Sequence, residues 1–131
     1  MAKTIAFISA RKGTPQIWLM DGANGHHQRQ LTRDSTLKGE KVDWSPDGKQ
    51  LTYEAANDIW VVGADGKNPR NLTRSKTVEF APTWAPDGEE IAFVRIDGSK
   101  KLVHVMNNDG SHAHPVGGNG GQLVPTWQGL R

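Results

Sequence analysis

Two stretches of the sequence share one pattern: residues 42–49 read VDWSPDGK and residues 82–89 read PTWAPDGE. A third copy begins in the same way at residues 125–127, which read PTW. The tryptophans of the three copies are 40 and 43 residues apart. A period of about forty residues is typical of tandem repeats in which each copy forms one supersecondary unit.

Further landmarks keep the same register in every copy. They are short apolar segments and turn dipeptides, and they lie at residues 5–7, 51–53 and 91–93 (Ile-Ala-Phe type), 17–20, 59–62 and 103–106 (Ile-Trp-Val-Met type), 24–25, 65–66 and 109–110 (Asn-Gly or Asp-Gly), and 31–33, 72–74 and 116–118 (Leu-Thr-Arg or a degenerate form). Agreement at separate landmarks in three copies establishes an internal repeat.

Each repeat predicts four short antiparallel strands, because its apolar segments are short, alternate with polar residues and are separated by hairpin-forming dipeptides. We name them A, which ends at the tryptophan, B (Ile-Ala-Phe), C (Ile-Trp-Val-Met) and D (Leu-Thr). Four strands in about forty residues is the size of one β-propeller blade. The predicted fold class is therefore all-β, with three propeller blades per chain.

The combination of Trp-Ser-Pro-Asp-Gly-Lys, Ile-Ala-Phe, Ile-Trp-Val-Met and Leu-Thr resembles the WD-like repeats of TolB-type β-propellers, from Lys3 to Trp127. The resemblance implies a propeller that binds a protein or peptide, and a periplasmic or extracytoplasmic location. The same blade also occurs in the propeller domains of peptidases, so the motifs specify a fold rather than a function.

The chain does not begin at the start of a repeat. The first blade has only strands B to D (3–33), complete blades follow at 40–74 and 79–118, and a lone A strand is predicted at 122–128. A ring needs about four to eight blades. We therefore expect a homodimer of six blades, in which one chain supplies strand A to the first blade of the other; three chains with nine blades are the alternative. The predicted closing residues are Val124, Pro125, Thr126 and Trp127.

Composition excludes some classes of function. The net charge of +2 comes without a basic run, so nucleic acid is not an expected partner. The chain has no cysteine, which rules out disulfides and thiolate metal sites. The apolar stretch near the N-terminus is too short for a signal-peptide core or a membrane span, so we expect no membrane insertion.

No catalytic signature is present, and we expect neither an enzyme nor a cofactor. The aspartates at 47, 65, 87 and 109 precede glycines, where their side chains typically bond to the turn backbone. Glu89-Glu90 follows such a turn and is interpreted as a solvated hairpin end. His26-His27 and His112-x-His114 lie in C–D turns. We interpret them as exposed loop residues, and binding of a divalent metal is the weaker alternative. No metal site is predicted.

The recurrent tryptophans are interpreted as packing between blades rather than as stacking platforms for ligands, and His104 replaces the strand C tryptophan as a partly buried residue. The expected binding surface of a propeller is one mouth of its central funnel. By resemblance, strand A lies nearest the axis, and its early residues are the predicted mouth: Glu40, Lys41, Glu79, Phe80 and Gln122.

Three functions fit the sequence. The first is a non-enzymatic scaffold for a protein or peptide. The second is part of the gating propeller of a prolyl-oligopeptidase-like or tricorn-like peptidase, and the third is a truncated or engineered set of blades. Lectin activity is a weaker alternative.

Overall fold

The computed structural model describes residues 3–118, 120–121 and 123–129. Over these residues the chain forms eleven β-strands in three antiparallel sheets, and no helix. This confirms the predicted all-β class. Within the same ranges, no helix capable of crossing a membrane occurs.

The strands follow the repeat. The first sheet has β1 (Thr4–Ser9), β2 (Gln16–Asp21) and β3 (Arg29–Gln30); the second has β4 (Lys38–Trp44), β5 (Gln50–Ala55), β6 (Asp58–Gly63) and β7 (Arg70–Asn71); the third has β8 (Val78–Trp84), β9 (Glu90–Asp97), β10 (Lys100–Asn107) and β11 (His114–Gly117). Each sheet is ordered as in the chain. Strands β4 and β8 are the A strands, and β1 is a B strand at the edge of a three-stranded sheet.

The Asp-Gly turns are built as predicted. The Oδ1 atom of Asp47 accepts a hydrogen bond from the backbone nitrogen of Lys49 at 2.9 Å. The same bond, at 2.9 to 3.0 Å, joins Asp65 to Lys67, Asp87 to Glu89 and Asp109 to Ser111. The interpretation of these aspartates as turn residues is confirmed.

Strand A is irregular near its start in both complete sheets. Its register on strand B shifts between Lys38 and Val42 in the second sheet and between Phe80 and Thr83 in the third. Pro82 lies within the second irregularity, where a residue without an N–H removes no ladder hydrogen bond. These bulges bend strand A before it reaches its tryptophan.

The core lies between the sheets, in two layers. One layer joins the first and second sheets and contains Ile17, Leu19 and Tyr53; the other joins the second and third and contains Ile59 and Phe93. Alternation along each strand directs successive side chains to opposite faces, so the second sheet supplies residues to both layers. The sheets therefore stack face to face in chain order.

A glycine in the C–D turn of each later sheet packs on the sheet before it. A β-carbon on Gly110 would lie 2.5 Å from the carbonyl oxygen of Leu72, and one on Gly66 would lie 3.0 Å from that of Leu31. Both glycines have positive φ, +88° and +83°. Close approach and backbone conformation both require glycine here.

Candidate functional site

The first sheet has an open edge. In the second sheet strand β5 is covered by β4, with Trp44 opposite Leu51, and in the third β9 is covered by β8, with Trp84 opposite Ile91. Strand β1 pairs only with β2 in the described chain. The backbone groups on its other side are a template for one more strand.

The side chains at this edge are exposed where their equivalents are buried. Ile5 on β1 is 41% exposed, whereas Leu51 and Ile91, at the same repeat position, are each 0% exposed. A repeat position whose large apolar side chain is fully buried in two repeats and exposed in the third marks a surface that no neighbouring sheet covers. The first sheet is therefore open both at the edge formed by β1 and on the face that carries Ile5.

Residues 123–129 lie against the third sheet at the other end of the stack. The indole Nε1 of Trp127 donates a hydrogen bond to the carbonyl oxygen of Thr83 at 3.1 Å, and the backbone nitrogen of Gly120 donates to the carbonyl of Lys101 at 3.3 Å. Val124 is 68% exposed. Among the residues that the structure describes, the segment forms no ladder with a sheet, so its role as an A strand stays a prediction.

The predicted mouth residues differ in exposure. Glu40 is exposed, while Lys41 and Phe80 are half-buried. The Nζ of Lys101 lies 5.4 Å from the centre of the Phe80 ring, a cation–π contact. Gln122 lies outside the described residues. The role of this surface in binding stays a prediction.

Glu79 is fully buried, so its carboxylate is not presented to solvent in this chain. It accepts hydrogen bonds from Ser75 Oγ at 2.5 Å, from Thr77 Oγ1 and from Arg95 Nε, which lies 3.2 Å away. A buried charge is tolerated when it is paired and hydrogen-bonded. Glu79 thus fixes the loop that leads into β8.

Lys38 holds the equivalent position in the second sheet with the opposite charge. Its side chain is buried and donates to Asp34 and, at 2.6 Å, to the carbonyl oxygen of Thr36. Burial alone would raise the pKa of Asp34, but its bonds to Lys38 and Thr36 outweigh that and lower it. Both loops that lead into an A strand are therefore held by an ion pair in which one partner is fully buried.

Glu54 is a half-buried carboxylate that the sequence did not single out. Burial raises its pKa, Glu40 adds to the rise, and a hydrogen bond from the backbone nitrogen of Ala81 opposes it. A β-carbon on Gly39 would lie 2.1 Å from the Glu54 carboxyl carbon, so Glu54 packs directly on that glycine. Glu54 links the second sheet to the third near the predicted mouth.

The histidines engage local partners. His27 Nδ1 lies 2.5 Å from Asp21 Oδ2, and His114 Nδ1 lies 2.8 Å from the carbonyl oxygen of His112. His104 is 8% exposed and packs on Phe93, as its predicted place on strand C requires. Across the described ranges no three His, Cys, Asp or Glu residues are grouped to hold a metal.

A cleft of about 910 Å³ lies between the second and third sheets. It is lined by the A–B turns of both sheets and by Arg70, Arg74 and Trp84. Because A–B turns lie at the opposite end of the strands from the B–C turns, this cleft is at the opposite end of the strands from Glu40 and Lys41.

The sequence from residue 2 to residue 130 matches the family model of the TolB beta propeller domain. The chain belongs to this family. The TolB-like resemblance drawn from the repeat is thereby confirmed, and so is the assignment of the three sheets to a propeller.

TolB relatives match parts of the chain. A TolB homolog of Chlorobium luteolum is 30% identical over 79% of this chain and 24% of its own length. The Tol-Pal system protein TolB of Bordetella avium is 40% identical over 42% of this chain and 12% of its own length. The chain thus spans about a quarter or less of the curated relatives it matches.

Solved structures agree on the fold. A TolB structure from Agrobacterium tumefaciens has a TM-score of 0.80 and 25% identity, over 95% of this chain and 50% of that one. The tricorn protease has a TM-score of 0.67 at 16% identity, over 88% of this chain and 12% of its own. The second likeness shows a shared propeller fold alone.

Proposed function

We propose that the chain forms half of a closed six-bladed ring, which serves as a non-enzymatic scaffold for a protein or peptide. In this ring, Val124–Trp127 of each copy supplies the A strand that β1 of the other copy lacks. The observation that carries the proposal is the open edge of β1 together with a repeat-matched segment that lies on the third sheet and pairs with none of the eleven described strands.

The repeat gives the register of the proposed pairing. Asp43 lies opposite Thr52 and Thr83 opposite Ala92 in the two complete sheets. The equivalent pair at the closure is Thr126 of one copy opposite Ala6 of the other, with Trp127 opposite Ile5. Pairing here would remove two open edges from the assembly at once.

Pro125 is compatible with this strand. It occupies the position of Pro82, which lies in the irregular part of β8 where the register on β9 shifts. A proline in that position leaves the ladder bonds of Thr126 and Trp127 intact. The hydrogen bond from Trp127 to Thr83 holds the segment beside its own third sheet, which lowers the entropy cost of pairing.

A designed disulfide tests the ring. The chain has no cysteine, so the double variant Ala6→Cys with Thr126→Cys introduces the only thiols. We expect oxidation to give a covalent dimer on a non-reducing gel, because antiparallel partners lie within disulfide reach. Ser9→Cys with Thr126→Cys is the control, three residues out of register. Monomer alone, by gel and by light scattering, would contradict the ring.

The scaffold role is supported by the family, since the curated relatives are named as TolB proteins of the Tol-Pal system. Panning a random peptide library against the protein tests it. We expect selected peptides to lose binding to a Glu40→Ala, Lys41→Ala double variant and to keep binding to Lys49→Ala at the opposite mouth. Peptides that ignore the first variant would place the binding surface elsewhere.

A further inference from the structure

The first sheet has an outer face that no other sheet of the described chain covers. Phe7 and Trp18 are register partners on this sheet, as Tyr53 and Trp60 are on the second. Tyr53 and Trp60 pack into the core layer between the first and second sheets. By repeat equivalence, Phe7 and Trp18 point to where a preceding sheet would lie.

Trp18 is nevertheless only 7% exposed. Its cover is cationic: the guanidinium carbon of Arg11 lies 4.4 Å from the centre of the Trp18 ring and 5.6 Å from that of Phe7. The Nζ of Lys12 lies 5.5 Å from the Trp18 ring. Cations over aromatic faces are attracted by the ring quadrupole, so both contacts are favourable.

The cations come from a loop that is longer in this repeat than in the others. The B–C connection spans residues 10–15 in the first sheet but only 56–57 in the second and 98–99 in the third. Within the long loop, Arg11 is fastened to Ser9 Oγ at 3.1 Å and to Gln28 Oε1 at 2.7 Å. The four additional residues therefore place a fixed guanidinium over Trp18.

Arg11 and a docking sheet would compete for one space. A group 4.4 Å from the ring centre is in van der Waals contact with it, and close-packed interiors leave no room for a second layer. Strand alternation places Val103 and Val105 of β10 on the outer face of the third sheet, the face that would dock. Apolar side chains offer a guanidinium no acceptor, so burying Arg11 between the sheets would be costly.

We propose that residues 10–15 form a strap that shields the closing face of the first sheet, and that Arg11 must leave Trp18 before the third sheet of a second copy can dock. This inference rests on the proposed ring and adds a residue that controls its closure. In the single chain, the strap keeps an apolar face from associating with unrelated surfaces.

Sedimentation equilibrium of the full chain tests the strap. Arg11→Ala removes the cover, and we expect the dimer dissociation constant to fall about tenfold, the effect of one cation–π contact of moderate strength. Arg11→Ala with Lys12→Ala should lower it further. Arg33→Ala, an exposed arginine outside the strap, makes the same change in charge and should leave the constant unchanged.

Each other result has a distinct meaning. A covalent dimer through Ala6→Cys and Thr126→Cys, with an association constant that Arg11→Ala does not change, would overturn the strap and leave the ring. Weaker association of Arg11→Ala, with an unchanged melting temperature, would make Arg11 part of the interface and also overturn the strap. Monomers in every variant, with no cross-link, would overturn the ring and the strap together.

Discussion

The Asp43 carboxylate on the second sheet bonds to the Trp84 backbone on the third. Its Oδ2 accepts a hydrogen bond from the Trp84 nitrogen at 2.8 Å and a second from Thr83 Oγ1 at 3.2 Å. Trp84 is 7% exposed and Thr83 is 6% exposed. Water therefore cannot easily replace the carboxylate, and Asp43 joins the second sheet to the third through two hydrogen bonds to buried residues.

Asp43→Ala should lower the free energy of unfolding by about 1–3 kcal/mol, because it leaves buried donors without a partner. Urea unfolding followed by tryptophan fluorescence measures the change. Asp97→Ala, an exposed aspartate at the end of β9, is the control and should change stability by less than about 0.5 kcal/mol. Equal effects of the two substitutions would show that the contact contributes nothing specific.

Gly110→Ala should be more destabilising than Gly48→Ala. Both glycines have positive φ, +88° and +72°, so alanine strains the backbone at either position. Only at Gly110 would the new β-carbon meet a backbone atom, the Leu72 oxygen at 2.5 Å, whereas nothing lies within 4 Å at Gly48. We expect about 1–2 kcal/mol for the backbone term in each case and a further loss at Gly110, measured by thermal unfolding. Equal losses of stability in the two variants would mean that the second and third sheets can move apart at Gly110 without a loss of free energy.

Glu54→Gln should change how stability depends on pH. The pKa of Glu54 is raised above its ordinary value of 4.5, first by burial and then by Glu40. The folded state therefore holds its proton longer than the unfolded state, and stability is lost as pH rises from about 4.5 through the folded pKa. The glutamine variant should gain stability relative to the parent chain between pH 4 and pH 7, measured by urea unfolding. Glu89→Gln, an exposed control, should run parallel to the parent.

His104→Phe should remove a loss of stability on the acid side. Burial lowers the pKa of His104 below its ordinary value of 6.5. The unfolded chain therefore takes up a proton first, and stability falls as pH drops below about 6.5. Phenylalanine keeps the contact with Phe93 without titrating, so we expect a flatter profile between pH 7 and pH 5. His26→Gln, at an exposed turn, should leave the profile as it is, and an unchanged slope in His104→Phe would contradict the assignment.

The repeat predicted the sheets because its signals are local. Trp44 and Trp84, with their Asp-Gly turns, fix where a strand ends and which way the next one runs, and these features do not depend on distant residues. Glu54 could also have been found, since its equivalents Ile8 and Val94 are apolar. A carboxylate at an apolar position of a repeat is a signal of a special contact.

Other features of the candidate site were beyond the sequence. Three partners from two elements bury the carboxylate of Glu79, a predicted mouth residue, and their convergence is set by the path of a loop. The contact of Arg11 with the Trp18 ring depends likewise on how the B–C loop, residues 10–15, folds back onto the first sheet. Strand periodicity gives the face on which a side chain lies, and not which loop crosses that face.

The stacking of the sheets bears on how such a protein changes in length over evolution. Asp43 meets Trp84, Gly66 meets Leu31 and Gly110 meets Leu72, so each of these contacts joins one repeat to the next. A gene duplication that adds a whole repeat between two others recreates the same junction on both sides. The unit that can be gained or lost without a new interface is therefore the repeat. A short array of blades uses the same contacts between neighbouring sheets as a longer array does.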